Sequence, residues 1–114
     1  MTTLSVTAED WPLARPFHFA GHGVTSLEVV NVRLTRGEAQ GQGEGVVPIV
    51  FDITMAGTLA QLRGVARAVA AGQPVETACA ELPPGPARNA LDCALWDLAA
   101  KTTGKSIWTS AGLP

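Results

Sequence analysis

The chain has 114 residues and a formal net charge of −2, enough for one domain with its own core. Its eight Lys and Arg are scattered among ten Asp and Glu and it has no Tyr, so it offers no basic, aromatic-lined surface for nucleic acid. Hydrophobic residues make up 46% and mean hydropathy is +0.20, yet no apolar run approaches the ~18 residues of a membrane helix. Either the many alanines inflate the index, or some apolar surface belongs against another domain. Met1-Thr2-Thr3-Leu4 lacks the basic and apolar regions of a secretory signal, and none is expected. Two cysteines, Cys79 and Cys93, are too few for a disulfide framework. Each sits beside alanines in a helical pattern and is expected as a buried free thiol of a cytoplasmic protein.

Thr3 to Ala8 alternates, with Leu4, Val6 and Ala8 on one face, and predicts a strand over about 3–9. Trp11-Pro12-Leu13 and Arg15-Pro16-Phe17 follow, and the prolines predict extended backbone outside a ladder. Phe17 to Thr25 holds Gly21 and Gly23 without a clean period, which predicts a movable loop. Leu27 to Thr35 is the strongest strand pattern, with Val30, Val32 and Leu34 inward and Val29, Asn31 and Arg33 outward. Thr35-Arg36-Gly37-Glu38 predicts a hairpin turn, with Gly37 at positive φ. The returning strand, about 39–47, is poor on propensity because of its glycines, but the turn requires a partner.

Pro48 to Thr54 is a second loop, apolar for a loop, and Thr54 suits a helix N-cap. Leu59, Leu62, Val65, Ala66 and Val69 form a helical stripe over about 55–71, ended by Gly72. A short helix follows over about 74–81. Pro83, Pro84 and Gly85 stop it, and Pro86 suits the first turn of a helix running to about 102. On that helix Ala87, Ala90, Leu91, Ala94, Leu95 and Leu98 share a stripe. Trp96 and Cys93 lie on the far side among polar residues, which points to a second partner for that side. A final turn begins at Ile107-Trp108. Strands first and helices after give an α+β class.

Chemical motifs are sparse. Gly41-Gln42-Gly43 does not complete GxGxxG, because Val46 stands at the third position, and neither it nor Gly21-His22-Gly23 opens a helix. His18 and His22 are four apart in a glycine-containing segment with no nearby third ligand, and read as unrelated loop residues rather than a metal pair. Glu44 and Asp52 read as solvated or salt-bridged carboxylates. Asp97 and Lys101 have the spacing and polarity of a structural i,i+4 ion pair, and Arg88 and Asp92 share that spacing. No catalytic residue and no metal ligand is assigned.

One stretch carries more information than its composition. Pro83-Pro84-Gly85-Pro86-Ala87-Arg88-Asn89-Ala90-Leu91-Asp92-Cys93-Ala94-Leu95-Trp96-Asp97-Leu98, then Ala100-Lys101 and Trp108…Ala111-Gly112-Leu113, closely resembles the end of the N-terminal capping domain of the enolase superfamily. It is most similar to the muconate-lactonizing subgroup and, within it, to dipeptide epimerases of the L-Ala-D/L-Glu type. Trp11-Pro12-Leu13, Arg15-Pro16-Phe17 and Gly41-Gln42-Gly43-Glu44 extend the resemblance over nearly the whole chain.

The resemblance implies an enolase N-terminal-domain-like fold over 1–114: a three-stranded antiparallel meander followed by a three-helix bundle. It implies a chain that stops where the first strand of a (β/α)₈ barrel should begin, with the barrel absent. In the family that barrel supplies lysine acid/bases and three acidic residues for Mg²⁺. The only lysines here, Lys101 and Lys105, match no such position. The cap contributes two loops over the barrel mouth, which place Phe19, Gly21, His22, Val24, Val47, Ile49 and Phe51 at the substrate pocket. Gly21 and Val24 stand where arginines are common in the Glu-type epimerases. Val47-Pro48-Ile49-Val50-Phe51 stands where Tyr and Arg are expected, so the carboxylate clamp is lost.

The implied function is therefore a substrate-specificity cap of a Mg²⁺-dependent dipeptide epimerase-like isomerase, inactive alone. Its expected partners are a barrel, a small dipeptide-like substrate of uncharged or apolar character or another substrate of the muconate-lactonizing subgroup, and optionally a further copy of itself, with no nucleic acid or membrane. The rival reading is a stand-alone interaction or self-association module on the same fold.

Overall fold

The computed structural model describes residues 1–48 and 51–114. Three strands, β1 (Thr2–Phe19), β2 (His22–Arg36) and β3 (Ala39–Val46), precede four helices: α1 (Met55–Ala70), α2 (Val75–Glu81), α3 (Pro86–Thr103) and the short α4 (Ile107–Ser110). The strands form one antiparallel sheet in the order β1-β2-β3, and α1, α2 and α3 pack on one face.

Alternation on β2 puts Val30, Val32 and Leu34 under the helices, fully buried. Leu62 and Val65 of α1, Val75, Ala78 and Cys79 of α2, and Ala87, Ala90, Leu91, Ala94 and Leu98 of α3 complete the core. Val29, read onto the outer face, is fully buried as well, although it lies outside that cluster. Thr54 caps α1, its hydroxyl accepting from the Gly57 amide at 3.0 Å. Pro86 opens α3, and Gly104, at φ 71°, closes it in the left-handed region.

Two further features differ from the sequence reading. The first is the Phe17–Thr25 loop, which is a hairpin. β1 runs through both prolines to Phe19, and Phe17, His18 and Phe19 pair with Val24, Gly23 and His22. The register breaks between Pro12 and Phe17: four residues of β1, 13–16, stand opposite Thr25 alone. Pro12 and Pro16 border this bulge, on an edge strand where a missing N–H is tolerated. The second is Cys93, which was expected to be buried and is exposed. It sits on the flank of α3 beside β3, and β3 is the sheet's edge, so among the described residues no further strand lies beyond it.

The glycines that weaken β3 on propensity are what let α3 approach it. A Cβ on Gly41, Gly43 or Gly45 would lie 2.3, 2.0 or 2.4 Å from the carbonyl oxygens of Ala94, Ala90 and Pro86. Every second residue of β3 thus meets successive turns of α3, backbone against backbone. Asp97 accepts from the Gln42 amide at 2.9 Å and from Lys101 Nζ at 2.8 Å, and Asn89 donates to the Glu44 carbonyl at 3.3 Å. Arg88 donates to the Leu82 carbonyl at 3.3 Å, which is where its charge goes instead of to Asp92. At the opposite end of the sheet Arg36 bridges Thr2 and Glu76.

Candidate functional site

β3 pairs with β2 only from Val29 to Arg36, while β2 runs back to His22. The outer part of the β1–β2 hairpin therefore projects past the end of β3, by roughly 20 Å at the usual rise per strand residue. Its tip is a two-residue turn, Ala20-Gly21, with φ of 45° and 79°, positive at both central positions as a primed turn requires. Gly21 takes this backbone freely; Ala20 is a strained choice.

The register gathers the tip residues. Phe17 and Phe19 share one face of β1, and their partners Val24 and His22 share it from β2. The Phe17 and Phe19 rings lie 5.5 Å apart and the Phe19 and His22 rings 5.9 Å apart, both tilted. These side chains stand in water: Phe17 is 57% exposed and Phe19 37%. The tip is an apolar, aromatic comb left exposed by the described residues. His18 falls on the opposite face, its ring against the open side of Gly23, so the two histidines do not converge on one point.

Of the second segment, Val47 is buried and its amide bonds to the Glu28 carbonyl at 2.9 Å, which fixes where the chain leaves the sheet. Phe51 is 81% exposed. Phe51 and Asp52 both have positive φ, 72° and 53°, a backbone that non-glycine residues adopt only at a cost. Ile49 lies outside the described residues. Phe19, His22 and Val24 are thus brought together with Gly21 beneath them; Val47 anchors the second segment rather than facing solvent, and Phe51 projects from it. Phe17 belongs to the same cluster and was absent from the sequence assignment. Its signal was the i,i+2 repeat of Phe17 and Phe19, masked by the expectation of a loop.

Charged groups lie elsewhere. Between residues 13 and 24 the one cation is Arg15, in the bulge. The hydrogen bond from Lys101 holds the Asp97 carboxyl below the usual carboxylate range. The Glu76 carboxyl is also lowered, first by its own backbone amide and then by Arg36. Burial pushes the Cys79 thiol up. These three groups sit in the helical layer and at the far end of the sheet, and none borders the hairpin tip. Among the described residues no group of three or more His, Cys, Asp or Glu is placed to hold a metal ion, and no helix is long and apolar enough to cross a membrane.

A further apolar surface lies on the helices. Trp96 is 41% exposed and lines a groove of about 390 Å³ between α2 and α3 with Cys79, Ala80, Leu95 and Ala99. Ile107, Trp108 and Leu113, at and just past α4, are exposed as well.

Comparison with known proteins places this arrangement. Residues 1–112 match the model of the mandelate racemase / muconate lactonizing enzyme N-terminal domain. The chain is 37% identical over 113 residues to the L-Ala-D/L-Glu epimerase of Escherichia coli (strain K12), a match that covers 99% of this chain and 35% of that enzyme. It is similar to an enolase family member from Agrobacterium tumefaciens with homology to dipeptide epimerases, solved with sodium and L-Ala-L-Glu bound and an ordered loop. That likeness has a TM-score of 0.88 at 34% identity, over 100% of this chain and 35% of the other. The dipeptide epimerase from Methylococcus capsulatus, complexed with Mg and L-Arg-D-Lys, matches with a TM-score of 0.79 at 27% identity, over 96% of this chain and 34% of the other. The chain thus spans about a third of the length of these relatives. With a three-stranded meander, a helical layer built on its last strand and a family match over nearly its whole length, the chain belongs to the mandelate racemase / muconate lactonizing enzyme N-terminal domain family of the enolase superfamily.

Proposed function

We propose that this chain is the substrate-facing cap of a Mg²⁺-dependent, dipeptide epimerase-like enzyme whose reacting groups lie on a (β/α)₈ barrel outside these 114 residues. The observation that carries the reading is the whole-chain match to relatives of which it spans only a third. A dipeptide epimerase that this chain resembles is complexed with Mg, and in this reading the ion would be held on the barrel. When bound there, Mg²⁺ supplies electrophilic stabilisation to charge developing beside the substrate carboxylate.

The cap's own part is physical. Phe17, Phe19, His22 and Val24 on the hairpin, with Phe51 from the second segment, exclude water from the barrel mouth and line the space for a substrate side chain. An acidic side chain enclosed by these groups would lose most of its water and gain only the imidazole of His22 as a donor, in place of a bidentate guanidinium, which is a net cost. The substrate is therefore a dipeptide with an uncharged or apolar side chain at that position. The free thiols of Cys79 and Cys93 suit a reducing compartment, and we place the protein in the cytoplasm.

Exchange of a dipeptide α-proton into deuterated solvent, followed by NMR, tests this reading. The chain alone with Mg²⁺ is expected to give no exchange. The same chain joined to an epimerase barrel in place of that barrel's own cap is expected to give it. Exchange by the chain alone overturns the proposal.

The exposed Trp96, Ile107, Trp108 and Leu113 favour a second reading, a module that binds itself or another protein. Sedimentation separates the two. A cap without its barrel associates weakly and without a fixed stoichiometry, whereas an evolved module forms one defined complex.

A further inference from the structure

β3 is the least self-sufficient element of the sheet. It lies at an edge with one strand neighbour, three of its eight residues are glycine, and Gly41, Gly43 and Gly45 are the residues it turns toward the helices. Apart from Ala39 at its start, which packs against the core, it therefore turns no side chain of its own toward the helices. Two side chains of α3 reach its free edge instead. Asp97 takes the Gln42 N–H at 2.9 Å and Asn89 gives to the Glu44 carbonyl at 3.3 Å. By strand alternation Gln42 and Glu44 present these groups away from β2, where no strand is available to satisfy them. Asn89 and Asp97 are eight residues apart on one helix face, about 12 Å along α3, which is longer than the roughly 7 Å step from Gln42 to Glu44, and their side chains span the difference. Three residues beyond Glu44 is Val47, from which the second segment departs, itself held by the Glu28 carbonyl.

We propose that Asn89 and Asp97 are positioning residues. They hold β3 on α3 and so fix the point from which the Val47–Phe51 segment is launched. The connection to substrate rests on the function proposed above; the connection to β3 does not. Lys101 orients Asp97, and the bond to β3 is made by Asp97 itself.

Amide hydrogen exchange on the 114-residue chain, resolved by NMR, tests this. Asn89→Asp keeps the volume and removes the donor. It is expected to speed exchange at the Gly45 and Val47 amides about tenfold while Leu62 and Val65 of α1 change less than twofold. Lys101→Met is expected to leave all four unchanged. Equal acceleration in β3 and α1 means a general loss of stability and overturns the proposal, as does an unchanged β3. If Asn89→Asp does not fold, Asp97→Leu, read at Gly41 and Gly43 against the same α1 amides, decides in the same terms. If Lys101→Met accelerates Gly41 and Gly43 as much as Asp97→Leu does, the ion pair rather than the β3 contact is responsible and the proposal fails. The outcome does not depend on whether the chain caps an enzyme, so failure here and failure of the functional reading are distinguishable.

Discussion

The α3–β3 seam and the tip of the β1–β2 hairpin are opposite solutions to the use of side chains. The seam is made of the smallest residues, Gly41, Gly43 and Gly45 against Ala90 and Ala94, and its atoms approach to contact. The tip is made of Phe17, Phe19 and His22, and all three are exposed, Phe17 for most of its surface. In the seam the absence of a side chain is the structural requirement. At the tip large side chains contribute little to this chain's own stability and remain available to something else. Tolerance to substitution should therefore run opposite to residue size.

The sharpest way to break the comparison is to add atoms to the seam. Gly43→Val puts a side chain where a Cβ alone would sit 2.0 Å from the Ala90 carbonyl oxygen, and the backbone there cannot yield cheaply. A loss of about 4 kcal/mol or more is expected, read as a collapse of the urea midpoint or as failure to fold. A midpoint near that of the unsubstituted chain would show that α3 can lift from β3. Removing atoms beneath the seam comes next. Leu91, fully buried on α3, should cost ~2–5 kcal/mol as Leu91→Ala. Phe19→Ala at the tip removes a larger side chain and should cost under about 0.5 kcal/mol in the same assay. If the two costs come out alike, the tip is part of the fold and not a spare surface.

Asp97 provides a test by pH. Its carboxyl is held below the usual range, first by Lys101 and then by the Gln42 amide, so the unfolded chain takes up the proton at higher pH than the folded one does. The stabilisation is complete above the unfolded carboxylate pKa and is lost as pH falls toward the lower folded value. Thermal midpoints of the unsubstituted chain should thus fall in acid more steeply than those of Asp97→Asn, and parallel curves would remove Asp97 from the account. The smallest expected effect is at the turn. Ala20 sits at φ 45°, and Ala20→Gly relieves that backbone while adding entropy to the unfolded chain, for a net gain of about 0.5 kcal/mol. A loss of stability there would mean that Ala20 makes contacts not evident at an open tip.

Most of the architecture was legible because it follows periodicity. The alternation of Val30, Val32 and Leu34 and the α3 stripe from Ala87 to Leu98 are where the core forms. What was hidden was cooperative. In Phe17–Thr25 only the i,i+2 repeat of Phe17 and Phe19 hints at a strand, since the pairing depends on a bulge at 13–16 that restores register after two prolines. β3 looks poor by propensity because propensity scores a strand's own side chains, whereas here the partner helix needs them absent. The repeat of Gly at 41, 43 and 45 is the signal that would have revealed it. Cys93 reads as buried because an alanine stands beside it in a helical pattern, but burial depends on what lies beyond the sheet edge. The candidate site was legible in part: Phe19, His22 and Val24 were placed together by a resemblance, while Phe17 and the anchoring of Val47 needed the register.

The central claim is that the hairpin tip and the segment after β3 choose an uncharged side chain. The direct measurement is made on a chimera in which residues 1–112 replace the N-terminal domain of the Escherichia coli L-Ala-D/L-Glu epimerase, comparing kcat/KM for an apolar dipeptide with that for L-Ala-L-Glu. The account predicts a preference that shifts toward the apolar dipeptide by about tenfold or more relative to the parent enzyme, with Phe19→Ala in the chimera reducing that shift. Activity on L-Ala-L-Glu equal to or better than on the apolar dipeptide would contradict it.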